Sequence, residues 1–87
     1  MEIKVTYLPR ALADLEYWKK SGNKILQQRI SKLIQSISET PFEGIGKPEP
    51  LKHEYAGWWS RRINEEHRLV YRVQDGIITI AQMRFHY

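Results

Sequence analysis

Residues 68–85 read RLVYRVQDGIITIAQMRF, and this stretch decides the fold. Leu69, Tyr71 and Val73 alternate with Arg68, Val70 and Arg72, the period-two pattern of a half-buried strand. Asp75-Gly76 supplies two residues that tolerate positive φ, the strongest short-range signal for a hairpin. Ile77 to Phe85 returns as the closing strand. Upstream, Trp58 to Ile63 is another strand-like run with aromatic and β-branched ends. The second half of the chain therefore predicts an antiparallel meander.

The segment before it, residues 41–50 (PFEGIGKPEP), holds three of the four prolines and two of the five glycines, so it predicts a loop without regular structure. Before that, Ile25, Leu26, Ile30, Leu33, Ile34 and Ile37 recur with a period of 3.6. They predict a helix with Asn23 as N-cap, ended by Thr40-Pro41, because a residue preceding proline disfavours the helical region. Pro9, suited to a first helical turn, opens a shorter helix carrying Ala11, Leu12, Leu15 and Trp18, and Gly22 stops it. Ile3, Val5 and Tyr7 alternate with Glu2, Lys4 and Thr6 as a first strand. Strand, two helices, then a meander predicts one α+β domain over residues 1–87, with the helices packed on one face of the sheet. The other face stays open and carries Arg-rich positions. Trp18 is expected in the core, and Trp58, which shares a face with Ser60 and Arg62, on the open face or in a dimer contact.

The 87 residues include no cysteine, which excludes disulfides and thiolate metal sites and fits a reducing cytoplasm. Glu2, Lys4, Arg10, Asp14 and Glu16 interrupt any apolar run near the start, so neither a signal peptide nor a membrane span is expected. Fourteen Lys/Arg against ten Asp/Glu, a net charge of +4, suit either a polyanionic partner or a merely soluble basic domain. His53, His67 and His86 share no metal-ligand spacing, and no carboxylate cluster offers a hard-cation site. There is no nucleophile elbow, and Gly44-Ile45-Gly46-Lys47 lacks the spacing of a phosphate-binding loop.

What remains is a set of Glu, Arg, Lys and His in the second half, and such a set can cleave RNA by transphosphorylation without a metal or other cofactor. A base takes the proton of the 2′-OH, that oxygen attacks the adjacent phosphorus, and an acid protonates the departing 5′-oxygen. Guanidinium groups hold the charge that gathers on the phosphoryl oxygens, and aromatic rings position the single strand.

The runs Thr40-Pro41-Phe42-Glu43-Gly44, Gly46-Lys47-Pro48-Glu49-Pro50-Leu51-Lys52-His53, Trp59-Ser60-Arg61-Arg62-Ile63, Glu65-Glu66-His67-Arg68-Leu69-Val70-Tyr71 and the terminal His86-Tyr87 closely resemble the YoeB family of toxins, within the RelE/ParE-like group. The likeness runs the full length and is densest over residues 40–71 and at the C-terminus. It implies a toxin that enters the ribosomal A site and cuts mRNA there, is neutralised by a YefM/Phd-type antitoxin, and can form a homodimer. By motif, the resemblance makes Glu49 the general base, His86 the general acid and Arg68 the group that stabilises the transition state. Lys52 and Arg62 match phosphate and substrate contacts, and Tyr87 the terminal aromatic beside the substrate. Trp58, where phenylalanine is usual, and the tail around Gln82-Met83 depart from the family pattern without touching these roles.

Each of these residues also has an ordinary reading. Glu49, between two prolines, is otherwise a solvated loop acid, and an exposed carboxylate is a weak base unless burial or neighbours raise its affinity for protons. Arg62, Arg68 and Lys52 are otherwise solvent-facing strand or loop cations. His86 is otherwise a frayed terminal side chain, and His53 and His67 are read as structural or surface residues. A fold-related inhibitor that binds its target without cutting RNA is the competing function. One geometric conflict stands: a two-residue turn at Asp75-Gly76 places Met83 opposite Arg68, and by parity puts His86 on the other face. A bulge, a longer turn, or the chain curling past the strand end would bring them together, and the last is expected.

Overall fold

The structure, a computed structural model, describes residues 4–85; residues 1–3 and 86–87 fall outside the described residues. β1 (Lys4–Tyr7) leads into α1 (Pro9–Ser21) and α2 (Lys24–Glu39). β2 (Glu49–Pro50), a 3₁₀ turn at His53–Tyr55, β3 (Trp59–Arg62), β4 (Arg68–Gln74) and β5 (Ile77–Gln82) complete the chain. The strands form one sheet in the order β1-β5-β4-β3-β2. β2 to β5 are antiparallel neighbours, whereas β1 runs parallel to β5, with Lys4 beside Ile77 and Tyr7 beside Ile80. A parallel pair needs a crossover, and the two helices supply it.

The local signals behave as chemistry requires. Gly22 ends α1 at φ +73, and the Asn23 side chain caps α2 by accepting from the Leu26 N–H. Asp75 and Gly76 both have positive φ, 53 and 75, which makes a type I′ turn whose twist matches the strands it joins. Leu26, Ile30, Leu33 and Ile37 of α2 and Ala11 and Trp18 of α1 pack against Leu69, Tyr71, Ile78 and Ile80 of the sheet. No helix among the described residues is long and apolar enough to cross a membrane.

Four sequence expectations need correcting. Ile25 is 83% exposed and Leu12 52% exposed, because each lies about 100° around its helix from the stripe that meets the sheet. On α1 the buried stripe is Ala11, Asp14 and Trp18. Residues 41–50 are not wholly loop: Glu49 and Pro50 pair with Ser60 and Trp59 as an edge strand, where a proline's missing N–H costs no ladder bond. β5 stops at Gln82, three residues short of Phe85, because α1 side chains capture the next backbone groups. Finally, β4 and β5 keep the two-residue-turn register only as far as Tyr71–Ile80; the next pair is Val70–Gln82, so Ala81 is an extra residue in a bulge. One extra residue reverses the parity of every later position in the strand. Met83 accordingly turns into the core, fully buried, instead of facing Arg68. The bulge, not a curl past the strand end, breaks the expected parity within the described residues.

Candidate active site

The open face of the sheet is ordered by its register. Glu49 pairs with Ser60, Ser60 with Val70, and Val70 with Gln82, so these four side chains form one row across the strands. Arg62 and Arg68, paired with each other, form the adjacent row. Glu49 and Arg62 are diagonal neighbours, a relationship that sets Cβ atoms roughly 7–8 Å apart, within reach of two long side chains. Ser60 and Val70 are buried although they lie on this face, giving it a floor of short side chains. On the other side of the Glu49 row, Trp58 lies under the Arg72 guanidinium at 4.6 Å, while Trp59 turns inward against Phe42.

Of the residues expected in the site, Glu49, Arg62 and Arg68 come together on one face. Glu49 is exposed, so burial does not supply the desolvation that the expected base would need. Lys52, the N-cap of the 3₁₀ turn, shares with Glu49 an open groove of about 430 Å³, along with His53 and Tyr55. Arg68 Nη1 donates to the carbonyls of Asn64 (2.7 Å), His67 (3.1 Å) and Glu65 (3.2 Å), which fixes one edge of the guanidinium. Among the described residues nothing hydrogen-bonds its Nε or Nη2. His53 is exposed, whereas His67 is buried between Trp18 and Phe85. His86 and Tyr87 lie outside the described residues.

Sequence reasoning missed Arg61. It is fully buried and makes five hydrogen bonds. Nε donates to the Tyr71 hydroxyl (3.1 Å), Nη1 to Ser36 Oγ (2.7 Å) and the Ile45 carbonyl (3.2 Å), and Nη2 to the carbonyls of Thr40 (2.7 Å) and Glu43 (2.8 Å). Tyr71 in turn donates to the Pro41 carbonyl at 2.6 Å. The guanidinium therefore nucleates the 40–46 loop that delivers the chain to Glu49. That loop passes so close to the core that a Cβ at Gly46 would meet Leu33 Cδ2 at 2.7 Å. The alternation Trp59, Arg61, Ile63 was the available signal, since it places Arg61 inward; its charge argued the other way.

Burial raises the Tyr71 phenol above its ordinary value of 10.0, with the Arg61 guanidinium partly opposing the rise. A raised acid in the folded state contributes stability that is complete below pH 10 and is lost as the pH climbs through the folded value. Tyr71→Phe is expected to lower stability by about 1 kcal/mol at about pH 8 and to weaken the further loss above about pH 10. Thermal unfolding measured across that range checks it, and parallel curves for the two proteins would refute the assignment.

A five-stranded mixed sheet backed by two helices is the architecture of the small ParE/RelE-like toxins. A YoeB/ParE toxin from Agrobacterium tumefaciens superposes with a TM-score of 0.91 at 41% identity, covering 98% of this chain and 100% of that one. The profile of the YoeB-like toxins of bacterial type II toxin–antitoxin systems matches residues 7–87, and the chain belongs to that family. Toxin YoeB of Escherichia coli K12 is 48% identical over 85 residues, which is 98% of this chain and 100% of the relative. Two Staphylococcus aureus structures, a YoeB dimer (TM-score 0.91, 43% identity) and a YoeB-YefM complex (0.89, 44%), each align over 100% of both chains.

Proposed function

We propose that this toxin is a ribosome-dependent endoribonuclease that cuts mRNA in the A site and so halts translation in the cytoplasm. The observation that carries the reading is the pairing of β2 with β3, which puts Glu49 on the face of Arg62 and Arg68, in the row adjacent to theirs. Glu49 takes the 2′-OH proton, and O2′ attacks phosphorus. The 5′-oxygen leaves with a proton from His86, and a 2′,3′-cyclic phosphate remains. Arg68 meets the charge on the phosphoryl oxygens with the guanidinium edge that the 64–67 turn leaves open. Lys52 and Arg62 hold flanking phosphates, and Tyr87 stacks beside the scissile nucleotide. The face is open, so the ribosome supplies the positioned strand and the exclusion of water around Glu49. No metal or other cofactor enters this scheme.

The same surface accounts for the partners. A YefM/Phd-type antitoxin, acidic enough to complement the basic face, is the partner that neutralises it, and the toxin can form a homodimer; S. aureus relatives have been solved as a YoeB-YefM complex and as a YoeB dimer.

Primer extension on mRNA in a purified translation system tests the function. Cuts at A-site codons that require ribosomes are expected. No cuts by free, folded toxin would leave a binder that inhibits without cleaving. Tyr87→Ala is expected to lower the rate by about tenfold or more, because the ring proposed to stack beside the scissile nucleotide is lost. Cleavage by Tyr87→Ala at the wild-type rate would dismiss that role for the ring.

A further inference from the structure

Met83–Phe85 leave the sheet but are held on every side. Asp14, 4% exposed on α1, accepts from the Met83 N–H at 2.9 Å. The Trp18 indole donates to the Met83 carbonyl, also at 2.9 Å. His67 Nδ1 accepts from the Phe85 N–H at 2.8 Å, and the Arg68 N–H donates to the Phe85 carbonyl at 3.0 Å. Two consecutive residues thus grip both polar groups of one peptide residue. Trp18 meets His67 edge-on, with ring centroids 5.0 Å apart, so the α1 and β4 sides of the clamp support each other. Phe85 sits at φ +63, a conformation that a bulky side chain keeps only when its surroundings impose it.

The proposed chemistry uses none of Asp14, Trp18 or His67, yet two of them are buried titratable groups spent on backbone. We propose that His67, supported by Asp14 and Trp18, is a positioning residue: it locks Phe85 against Arg68 and thereby sets where His86 is delivered to the phosphate. This rests on the reading of His86 as the acid. The Nδ1 of His67 must be unprotonated to accept, so the imidazole works in its neutral form with the proton on Nε2. Residue 86 comes directly after the clamped peptide, and a displacement of about 1 Å at a reacting group can cost about 100-fold in rate.

The test compares His67→Phe, which keeps ring bulk but has no acceptor, with His67→Asn, whose Oδ1 stands where Nδ1 stood. Hydrogen exchange at the Phe85 amide is expected to speed up by about tenfold or more in His67→Phe and to slow again in His67→Asn. On mRNA bound to programmed ribosomes, kcat is expected to fall by about 100-fold in His67→Phe with KM little changed, and to recover most of that loss in His67→Asn. If His67→Phe does not fold, His67→Gln, which moves the acceptor by one bond, carries the same expectation. Wild-type kcat or unchanged Phe85 exchange in the acceptor-free variant, or no rescue by asparagine, overturns the proposal while a dead His86→Ala leaves the acid reading intact. Undiminished cleavage by His86→Ala overturns the acid reading, and the proposal with it.

Discussion

Glu49→Gln is expected to slow mRNA cleavage by about 10²–10⁴-fold, the usual contribution of a positioned acid–base group, while ribosome binding survives. Glutamine keeps the shape of the side chain and cannot take the 2′-OH proton. The substitution is structurally mild, because β2 is held by backbone pairing with β3 and the Glu49 side chain is exposed. The Leu51 N–H to the Trp58 carbonyl, 2.9 Å, continues that ladder and does not involve the carboxylate. Stability should therefore stay within about 0.5 kcal/mol of the parent. Single-turnover cleavage on programmed ribosomes, with co-sedimentation measured in parallel, separates chemistry from binding. Cleavage within a few-fold of wild type would remove Glu49 as the base. Loss of ribosome affinity in step with cleavage would make it a binding residue.

Arg61→Met is expected to cost about 3–5 kcal/mol of folding stability, although Arg61 has no assigned role in the chemistry. The substitution leaves Ser36 Oγ, the Tyr71 hydroxyl and three loop carbonyls without their shared donor at a fully buried position. Some acceptors can recover water if the 40–46 loop lifts, which is why five bonds do not count five times over. For a chain of 87 residues, a loss of this size corresponds to a fall in Tm of about 15 °C or more. Arg61→Lys should recover only part of it, since an ammonium cannot reach the splayed acceptors that a planar guanidinium serves together. Urea unfolding of the three proteins decides the matter. A loss below about 1 kcal/mol for Arg61→Met would mean the loop is held by other contacts. Activity should fall too, because the same loop leads into Glu49.

Much of the candidate site was legible because its residues fall in dense motifs. Glu49, Arg62 and Arg68 were placed by resemblance, and strand register puts all three on one face. What motif reading could not supply was the support beneath them. Arg61 carries the signature of a surface residue, and Asp14 is buried on α1 while Leu12, the natural core candidate, is exposed. In both cases a polar side chain is buried because backbone groups far away in sequence need partners, and periodicity registers only how apolar a residue is.

Turns, caps and periodic stripes depend on a residue and its near neighbours, so the sequence by itself determined the order of strand, two helices and meander, the turn at Asp75-Gly76 and the limits of both helices. Tertiary structure alone decided that β1 lies parallel to β5, that Glu49-Pro50 joins the sheet, and that Ala81 bulges out of it. Those outcomes are settled by pairing that local periodicity does not register, between partners 9 and 11 positions apart for β2 and β3 and 73 apart for β1 and β5. Asp14 and Trp18 hold Met83, 69 and 65 residues away, and a one-residue change of register there leaves every local pattern in the sequence unaltered.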